Sequence, residues 1–527
     1  MKKRLLLSGN EAVALGAYEA GVTVGTGYPG TPSSEILPAF KDYPDVYAEW
    51  SVNEKVALEV ALGAAFSGAR AMATMKHVGV NVAADPLFTS SYTGVSGALV
   101  IVVADEPNMH SSQNEQDSRN YALAAKIPML EPSDSQEAKD FVRTAVRISE
   151  EYDTPVFIRS TTRLSHSKST VIPGAKPRRR KVTGFRRDMR KYVMIPAFAR
   201  PRHGVIEERL ERLSGLADSL ELNTISVDST KTGFITSGIA YQYVREVFPE
   251  ASVLKLGMVH PLPWKLIDRF IKSVENVYVA EELDPFLETL IKAKGYRVEG
   301  KKYFPLTGEF SPGTVKNSLR RTGRKPGGLE LPFDIPPRPP SFCPGCPHKA
   351  VFQILKDLGK TVSGDIGCYT LSVLPPLNAM DTCVDMGASV TVAQGMEIAM
   401  RNGEDIVSVI GDSTFAHSGI TGLLNAAYNG RTSLVIVLDN GTTAMTGMQP
   451  NPLTGERIDG CPAPSLDYRM LASSMGIGKE DFLQVGAYDE GAIRKAVTGL
   501  SSSGRLSLLV VKGECIIHRR RKARAKG

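Results

Sequence analysis

At 527 residues the chain is long enough for about three or four domains, each with its own hydrophobic core. Its 42% hydrophobic and 23% charged residues are typical of a globular protein and exclude a disordered or fibrous one, and no apolar run reaches the length of a membrane span. The net charge of +7 comes from two basic runs: residues 178–191 carry eight Arg and Lys against one Asp, and residues 519–526 carry six against no acid. No array of stacking aromatic residues accompanies these runs, so we interpret them as a solvated linker and tail rather than a nucleic-acid site.

The N-terminal third has the pattern of a parallel α/β sheet. Short apolar strands, predicted at residues 99–104 and 155–159, alternate with helical segments over residues 1–170. The basic and apolar start at residues 2–7 is followed at once by polar residues 8–11, so it is too short for a signal peptide. We therefore expect a cytoplasmic protein.

The rest of the chain divides by composition and pattern. In order, it comprises a basic and then helical connector at 171–225, a smaller α/β domain at 226–300, a Pro-rich linker at 301–340, a last α/β domain at 341–513 and a basic tail at 514–527. Strands of the smaller domain are predicted at residues 233–238, 252–256 and 276–281. Residues 336–340 of the linker have the composition of a semi-rigid spacer.

Polar residues follow two successive strands of the last domain. One apolar strand ends in Gly411, before Asp412 and Ser413, and the next, residues 433–438, ends before Asp439 and Asn440. The carboxyl ends of parallel strands meet at one edge of a sheet, where ligands of open α/β folds bind. A carboxylate and a carboxamide there suit a hard Mg2+ ion that also holds a phosphate group. On this pattern alone, an ordinary βαβ unit is an equally good interpretation.

The spacing of these residues resembles the metal–diphosphate motif of thiamine diphosphate (TPP) enzymes. Further motifs are YPGTPSSE at 28–35, VNEK at 52–55, HSSQNEQDSR at 110–119, SFCPGCPH at 341–348, GDIGCYTL at 364–371, MGAS at 386–389, GDSTFAH at 411–417 and TAMTG at 443–447. In order and spacing they resemble the large (alpha) subunit of the indolepyruvate ferredoxin oxidoreductase family, within the TPP-dependent 2-oxoacid:ferredoxin oxidoreductases. The resemblance covers about residues 5–513, nearly the whole chain.

The resemblance implies an α/β fold with a TPP pyrimidine-binding domain at 1–170, a transketolase C-terminal-like domain at 226–300 and a TPP diphosphate-binding domain at 341–513. It implies Mg2+ ligands at Asp412, Asn440 and Thr442. The cofactor-binding residues that it implies are Glu54, Cys368, Gly387, Ala388, Ser389, Gly411, Asp412, Ser413, Asn440, Thr442, Met445 and Thr446.

Glu54 is the candidate for the carboxylate that hydrogen-bonds the aminopyrimidine ring of TPP, a contact that activates the cofactor. It precedes a helix of small residues at 56–65 and matches the family position. The alternative is a helix N-terminal glutamate that stabilises the helix dipole. Glu59 is the rival carboxylate, although helical periodicity places it on another face.

Thr31 and Arg119 are the candidates for substrate binding. Thr31 lies in a loop shaped by two prolines and a glycine, and a hydroxyl there can bind the carboxylate of a 2-oxo acid. Arg119 can clamp the same carboxylate in a bidentate way, as the guanidinium geometry allows. Related pyruvate enzymes use a Thr and an Arg in comparable loops, which favours a functional role for both residues. For these two residues the alternative is a solvated loop with a surface arginine. Lys76 and His77 are further pocket candidates.

Six cysteines are too few for the disulfide framework of a secreted protein. Cys343 and Cys346 form a CxxC, and Cys368 follows a glycine-rich turn. In the family, cysteines of this kind and a distant fourth hold a [4Fe-4S] cluster beside TPP; Cys461 resembles the fourth ligand and Cys383 is its alternative. Packed free thiols and a zinc site remain open.

One departure from the family pattern concerns electron transfer. The two CxxCxxCxxxCP runs of the family's C-terminal ferredoxin-like module have no counterpart in these 527 residues. We therefore expect electrons to leave through a partner subunit or a separate ferredoxin; the alternative is a protein that is no longer a standard ferredoxin reductant.

The resemblance predicts TPP-dependent oxidative decarboxylation of aryl 2-oxo acids, of the indolepyruvate and phenylpyruvate type, to the acyl-coenzyme A with ferredoxin as acceptor. It implies a smaller beta subunit as partner and at least a dimer of this chain, because TPP lies between two such domains, commonly of different protomers. The first alternative is a non-oxidative TPP-dependent decarboxylase or lyase. The second is a catalytically silent assembly or nucleic-acid-binding protein.

Overall fold

The computed structural model describes residues 4–175, 182, 184–319, 340–400 and 405–526. The chain forms two compact units, Met1–Phe333 and Asp334–Gly527. Residues 336–339 of the predicted spacer and residues 178–181 of the first basic run lie outside the described residues.

Unit 1 combines three sheets with helices that cover them. Its described strands are β1 (Leu5–Ser8), β2 (Val24–Gly27), β3 (Tyr47–Trp50), β4 (Arg70–Lys76), β5 (Ala98–Asp105), β6 (Met129–Leu130), β7 (Val156–Thr161), β8 (Lys168–Val171), β9 (Thr224–Ser226), β10 (Thr232–Ser237), β11 (Ser252–Leu256), β12 (Met258–His260) and β13 (Asn276–Ala280). Its described helices are α1 (Gly9–Glu19), α2 (Ile36–Lys41), α3 (Glu54–Phe66), α4 (His77–Val82), α5 (Ala84–Thr93), α6 (Arg119–Ala125), α7 (Ser135–Tyr152), α8 (Thr162–His166), α9 (Met189–Tyr192), α10 (Pro196–Ala217), α11 (Gly238–Val247), α12 (Trp264–Ser273), α13 (Phe286–Ala293) and α14 (Pro312–Ser318).

The largest sheet of unit 1 has the strand order β12-β6-β7-β5-β4-β2-β3, in which β12 is antiparallel to β6 and the other pairs are parallel. Strand β5 is buried at every position, as its run of aliphatic residues predicts for the centre of a parallel sheet covered on both faces. The carboxyl ends of β2, β3, β4 and β5 therefore meet at one edge. The loops that carry the predicted site residues of this unit leave from that edge.

The second sheet has the order β13-β10-β11-β9, with β9 antiparallel, and β1 pairs with β8 as a separate antiparallel ribbon. Strand β12 follows β11 directly in sequence, yet it extends the edge of the first sheet. One apolar cluster, which includes Ile101 and Leu254, spans both sheets. The finer division of this unit into domains at 170, 225 and 300 stays a prediction.

The described residues of unit 2 form one six-stranded parallel sheet with helices around it. Its described strands are β14 (Thr361–Gly364), β15 (Thr382–Cys383), β16 (Ile406–Gly411), β17 (Leu434–Asp439), β18 (Phe482–Gly486) and β19 (Ser507–Lys512), in the sheet order β15-β14-β16-β17-β19-β18. Its described helices are α15 (Lys349–Asp357), α16 (Ala388–Met400), α17 (Asp412–Thr414), α18 (Ile420–Tyr428), α19 (Tyr468–Ser474), α20 (Glu490–Ser501) and α21 (Ile516–Lys526), with 3-10 turns at Cys368–Val373 and Lys479–Asp481 and a π-helical segment at Phe415–Gly419.

The structure confirms the predicted α/β class with parallel sheets in both units. The predicted strands correspond to β5, β7, β10, β11, β13 and β17, with ends that differ by at most two residues. The basic tail forms helix α21, in which residues 519–524 are exposed. Within the described parts of the chain, none of the helices has the length and apolar character needed to span a bilayer.

Candidate active site

Unit 2 brings Asp412 and Asn440 together at the carboxyl edge of its sheet. Strands β16 and β17 are parallel neighbours, with Gly411 paired to Leu438, so both residues follow directly at the same edge. The Asp412 carboxylate accepts one hydrogen bond from the Ser413 N–H (2.8 Å) and another from the Gly441 N–H (3.1 Å). The Asp412 carboxylate therefore lies beside the loop that begins at Asn440, as predicted.

The Asp412 side chain is buried, with 3% of the residue exposed. Burial, and then the charge of Asp439, raise the pKa of Asp412 to about 7. Asp439 itself lies 3.6 Å from the Lys512 ammonium group. A divalent cation at this edge would favour the ionised form of Asp412. Carboxylate and amide oxygens are the hard donors that Mg2+ prefers, so the donor set fits this ion.

The Asn440 amide has a defined orientation. Its oxygen accepts a hydrogen bond from the Thr442 N–H (3.1 Å), and its nitrogen lies 3.1 Å from Nε2 of His348. The turn that allows this passes through Gly441, whose positive φ of 71° favours glycine. Thr442 is buried, as a residue at the floor of a ligand site would be.

The loop after Asn440 carries the other residues predicted on this side. Thr443 donates from its hydroxyl to Ser413 Oγ (2.9 Å), and Thr446 donates to the Gln449 side chain (2.7 Å). Met445 is half exposed. Ser413, on α17, is therefore hydrogen-bonded to the loop that carries Thr446.

A third strand end is anchored by Asp365, which directly follows β14. Its buried carboxylate accepts hydrogen bonds from the N–H groups of Gly387 and Ser389, each at 3.0 Å. Burial raises the pKa of Asp365 to about 6. A Cβ atom at Gly387 would lie 2.5 Å from Cβ of Ser418, so only glycine allows this close packing. The predicted loop Gly387–Ser389 is thus held at the same edge of the sheet as Asp412.

Four of the six cysteines line one cavity in unit 2, of about 80 Å³. These are Cys343, Cys346, Cys368 and Cys515. Cys461 is exposed on a separate loop, where its N–H donates to Asp459 (2.9 Å), so the structure does not bring the predicted fourth ligand to the other three.

The cavity thiols are free; Cys343 is exposed, and the other three are partly buried. Burial raises the pKa of Cys346 and of Cys368 to about 11 each, and the other thiols of the cavity add to this rise. Among the residues that the structure describes, no His, Cys, Asp or Glu side chains form a group of three or more around a single metal ion. Thiolate sulfur is the donor that iron–sulfur clusters use, so the type of donor, although not a closed set of ligands, agrees with the predicted cluster. Cys383 is not among the lining residues and lies near Asp365.

In unit 1, Glu54 is the first residue of α3 and only 4% exposed. A Cβ atom at Gly79 would lie 2.6 Å from a Glu54 carboxylate oxygen, so the carboxylate packs directly on the first turn of α4. Glu59 is exposed and forms an ion pair with Lys55. Of the two candidate carboxylates, Glu54 is therefore the one that lies in the interior.

The Thr31 loop and the loop after β5 both lie against Lys76. A Cβ atom at Gly30 would lie 3.0 Å from Cγ of Lys76, and the Lys76 ammonium is 3.8 Å from Glu106 and 3.3 Å from the Ser111 carbonyl. Burial lowers the pKa of Lys76. Glu54 contributes to the electrostatic environment of Lys76, which places both predicted candidates in one region.

His77 has an unused acceptor in the same region. Its Nε2 donates to the Asn114 carbonyl (3.1 Å), while its buried Nδ1 has no hydrogen-bond partner among the described residues. A buried polar atom without a partner costs stability unless a ligand or water satisfies it. This acceptor, two residues from Gly79 on α4, fits a polar ligand beside Glu54.

Arg119 is placed differently from the prediction. It is fully buried, with its guanidinium bonded to Asp117 (2.5 Å) and to Glu281 (2.7 Å), and it stacks over Phe286. It also donates to the carbonyl of Glu282 (3.0 Å). These contacts favour a structural role, so substrate clamping by Arg119 stays a prediction that the observed geometry does not favour.

Two family models match the chain. Residues 15–202 match the one described as "Pyruvate flavodoxin/ferredoxin oxidoreductase, thiamine diP-bdg", and residues 365–511 match "Thiamine pyrophosphate enzyme, C-terminal TPP binding domain". Glu54 lies within the first match, and Asp412 and Asn440 lie within the second.

Two relatives match nearly the whole chain. The "Indolepyruvate oxidoreductase subunit IorA" of Archaeoglobus fulgidus is 41% identical over 559 residues, covering 100% of this chain and 88% of the relative. The protein of the same name from Pyrococcus abyssi is 41% identical over 567 residues, covering 98% of this chain and 86% of the relative. The chain belongs to this IorA family.

A solved structure shares the fold. A 2-oxoglutarate:ferredoxin oxidoreductase from Magnetococcus marinus, determined with 2-oxoglutarate, coenzyme A and succinyl-CoA bound, superposes with a TM-score of 0.51 at 16% identity, over 60% of this chain and 65% of that one. The predicted family, fold class and enzyme class are confirmed. The chain carries both TPP-binding domains of its family, and it is a subunit of a TPP-dependent 2-oxo acid oxidoreductase.

Three residues of the site were missed or underused in the sequence analysis. Asp365 and His348 lie inside motifs of the family resemblance, but neither was given a role, because their partners are distant in sequence. Cys515 follows β19, the neighbour of β17. Ligands of open α/β folds bind at the carboxyl ends of the strands, and this expectation would have identified Cys515 as a candidate.

Proposed function

We propose that the chain is the TPP-binding subunit of an enzyme that oxidatively decarboxylates aryl 2-oxo acids, such as indolepyruvate, to the acyl-coenzyme A. The observation that carries the proposal is 41% identity over the whole chain to proteins named indolepyruvate oxidoreductase subunit IorA. The carboxylate and amide edge formed by Asp412 and Asn440 supports it, because such donors suit a metal-bound diphosphate.

Asp412, Asn440 and Thr442 would hold Mg2+ and with it the diphosphate end of TPP. Gly411, Ser413, Met445, Thr446 and the loop Gly387–Ser389 would line that site. Bound TPP supplies the carbanion chemistry that lets a 2-oxo acid lose carbon dioxide. Glu54 would accept a hydrogen bond from the aminopyrimidine and so control its proton, and its burial supports this role. Thr31 would bind the substrate carboxylate.

Cys343, Cys346 and Cys368 would hold a [4Fe-4S] cluster that takes electrons one at a time. Cys515 is a better fourth ligand than Cys461, because Cys515 lines the same cavity as the other three.

The partners proposed for the chain are a smaller beta subunit, ferredoxin as electron acceptor and a second copy of this chain. The relatives are named as one subunit of an oxidoreductase, which supports a multi-subunit enzyme. Light scattering of the purified complex measures the number of copies.

The testing experiment is anaerobic co-purification of the chain with its neighbouring subunit, followed by assays with indolepyruvate, phenylpyruvate, pyruvate and 2-oxoglutarate. We expect ferredoxin reduction that depends on coenzyme A, TPP and Mg2+ and is fastest with an aryl substrate. Release of the aldehyde without ferredoxin reduction would instead indicate a non-oxidative decarboxylase. Faster turnover of pyruvate or 2-oxoglutarate would contradict the aryl preference.

A further inference from the structure

His348 lies between the cysteine cavity and the Asp412 edge. It is 4% exposed and lines the cavity together with Cys346 and Asn440. The NH2 group of Asn440 can only donate, so the His348 ring nitrogen that faces it accepts the hydrogen bond. The T-shaped contact with Tyr369 (5.9 Å between ring centroids) restricts the ring orientation.

The backbone of His348 contacts a cavity thiol, and its side chain contacts Asn440. Its backbone N–H donates to the thiol sulfur of Cys346, on the cavity side. Its Nε2 lies 3.1 Å from the Asn440 side-chain nitrogen, on the edge side. One residue thus bridges a cavity thiol and a candidate Mg2+ ligand.

An asparagine amide has two orientations of similar shape and opposite chemistry. Only the orientation that turns oxygen toward a cation can bind it, because the NH2 group repels it. The Thr442 N–H fixes the oxygen of Asn440, and an acceptor opposite fixes the nitrogen. His348 Nε2 is that acceptor.

The backbone of Asn440 is held from the cavity side as well. The Cys515 N–H donates to the Asn440 carbonyl (3.0 Å), and the Gly513 N–H donates to the Asp439 carbonyl (2.9 Å). Two residues that line the cavity therefore contact Asn440: His348 contacts its side chain, and Cys515 contacts its backbone.

We propose that His348 is a positioning residue that fixes the Asn440 amide for the cation and couples the cysteine cavity to the diphosphate site. This inference rests on the proposed Mg-TPP site. A change at Cys346 moves the segment that carries His348, and through it the amide that faces the cation. Because such coupling is reciprocal, occupation of the cation site also orders the cysteine side of His348.

The test measures TPP binding by equilibrium dialysis as a function of Mg2+ concentration, on the full chain purified with its partner subunit. His348→Gln places an amide oxygen where Nε2 lies, whereas His348→Asn is too short to reach Asn440. We expect near-wild-type Mg2+ dependence in the Gln variant and a Mg2+ requirement raised about 10- to 100-fold in the Asn variant, as for other residues that orient metal ligands. The matched controls are His518→Gln and His518→Asn, which make the same changes on α21.

The coupling is tested by a double-mutant cycle. Cys346→Ser should raise the Mg2+ requirement in the wild-type background and have little further effect in the His348→Asn background. Additive effects would overturn the coupling. Equal weakening by His348→Gln and His348→Asn, or no weakening by either, would overturn the positioning role.

Thermal melting without cofactor verifies that each variant is folded. If His348→Asn is not folded, His348→Met replaces it, because Met has a similar size to Gln and lacks a strong acceptor. A wild-type protein that binds no TPP at any Mg2+ concentration would refute the proposed function itself. Normal wild-type binding with an unaffected Met variant would refute only the role of His348.

Discussion

The buried carboxyl group of Glu282 makes the stability of unit 1 depend on pH. Glu282 is 6% exposed and accepts a hydrogen bond from the Phe310 N–H (2.7 Å). Burial, its largest influence, raises its pKa from 4.5 to about 7. The protonated form is therefore favoured in the folded protein, and the unfolded chain loses that proton at a lower pH.

The sign of the effect follows from this difference. The stabilising contribution is fully present below about pH 4.5 and is lost as the pH rises through about 7. At about 1.4 kcal/mol for each pKa unit, the rise corresponds to a loss of ~3 kcal/mol across this window. Glu282→Gln keeps an acceptor for Phe310 and cannot ionise, so its free energy of unfolding should lack this loss.

The assay is urea unfolding of wild type and Glu282→Gln at pH 5, 7 and 8. We expect the variant to gain stability relative to wild type as the pH rises, approaching ~3 kcal/mol at pH 8. Glu246→Gln, on an exposed position of α11, is the control and should show no such trend. A Glu282→Gln difference that is the same at every pH would refute the reasoning.

Three further predictions concern the site. Asp412→Ala should abolish retention of Mg-TPP, because the Mg2+ ion that compensates the diphosphate charge loses its carboxylate ligand. Unchanged TPP affinity in equilibrium dialysis would contradict the assignment. Glu54→Gln should bind TPP normally yet lower kcat by about 10²- to 10⁴-fold, and a near-wild-type rate would move the role to another carboxylate. Cys515→Ser should lower the iron content of anaerobically prepared protein whereas Cys461→Ser should not, and iron analysis that gives the reverse order would restore Cys461 as the ligand.

The sequence predicted the residues at strand ends well. Asp412 and Asn440 were predicted as neighbours because parallel strands end at one edge, and β16 and β17 are adjacent in the sheet. The order of the other strands was not predictable in this way. Strand β12 extends the first sheet although it lies within the segment of the second, since edge pairing depends on tertiary packing.

The environment of Arg119 was beyond sequence reasoning. Its loop is polar at residues 110–118, which is the pattern of a solvent-exposed or ligand-binding segment. The structure instead pairs Arg119 with Glu281, which lies 162 positions further along the chain. A buried ion pair between residues so far apart leaves no local signal, because each partner alone has the pattern of a surface charge.

The register between β17 and β19 places Asn440 and Cys515 side by side. Asp439 pairs with Lys512 across these strands, so the sheet keeps the spacing of the two segments whatever the length of the chain between them. A change in the length of the chain between β17 and β19 therefore leaves the spacing of these two residues unchanged, provided that the register is kept. A search for this cysteine by a fixed number of intervening residues would fail, whereas a search for the first cysteine after the last strand of the domain would find it.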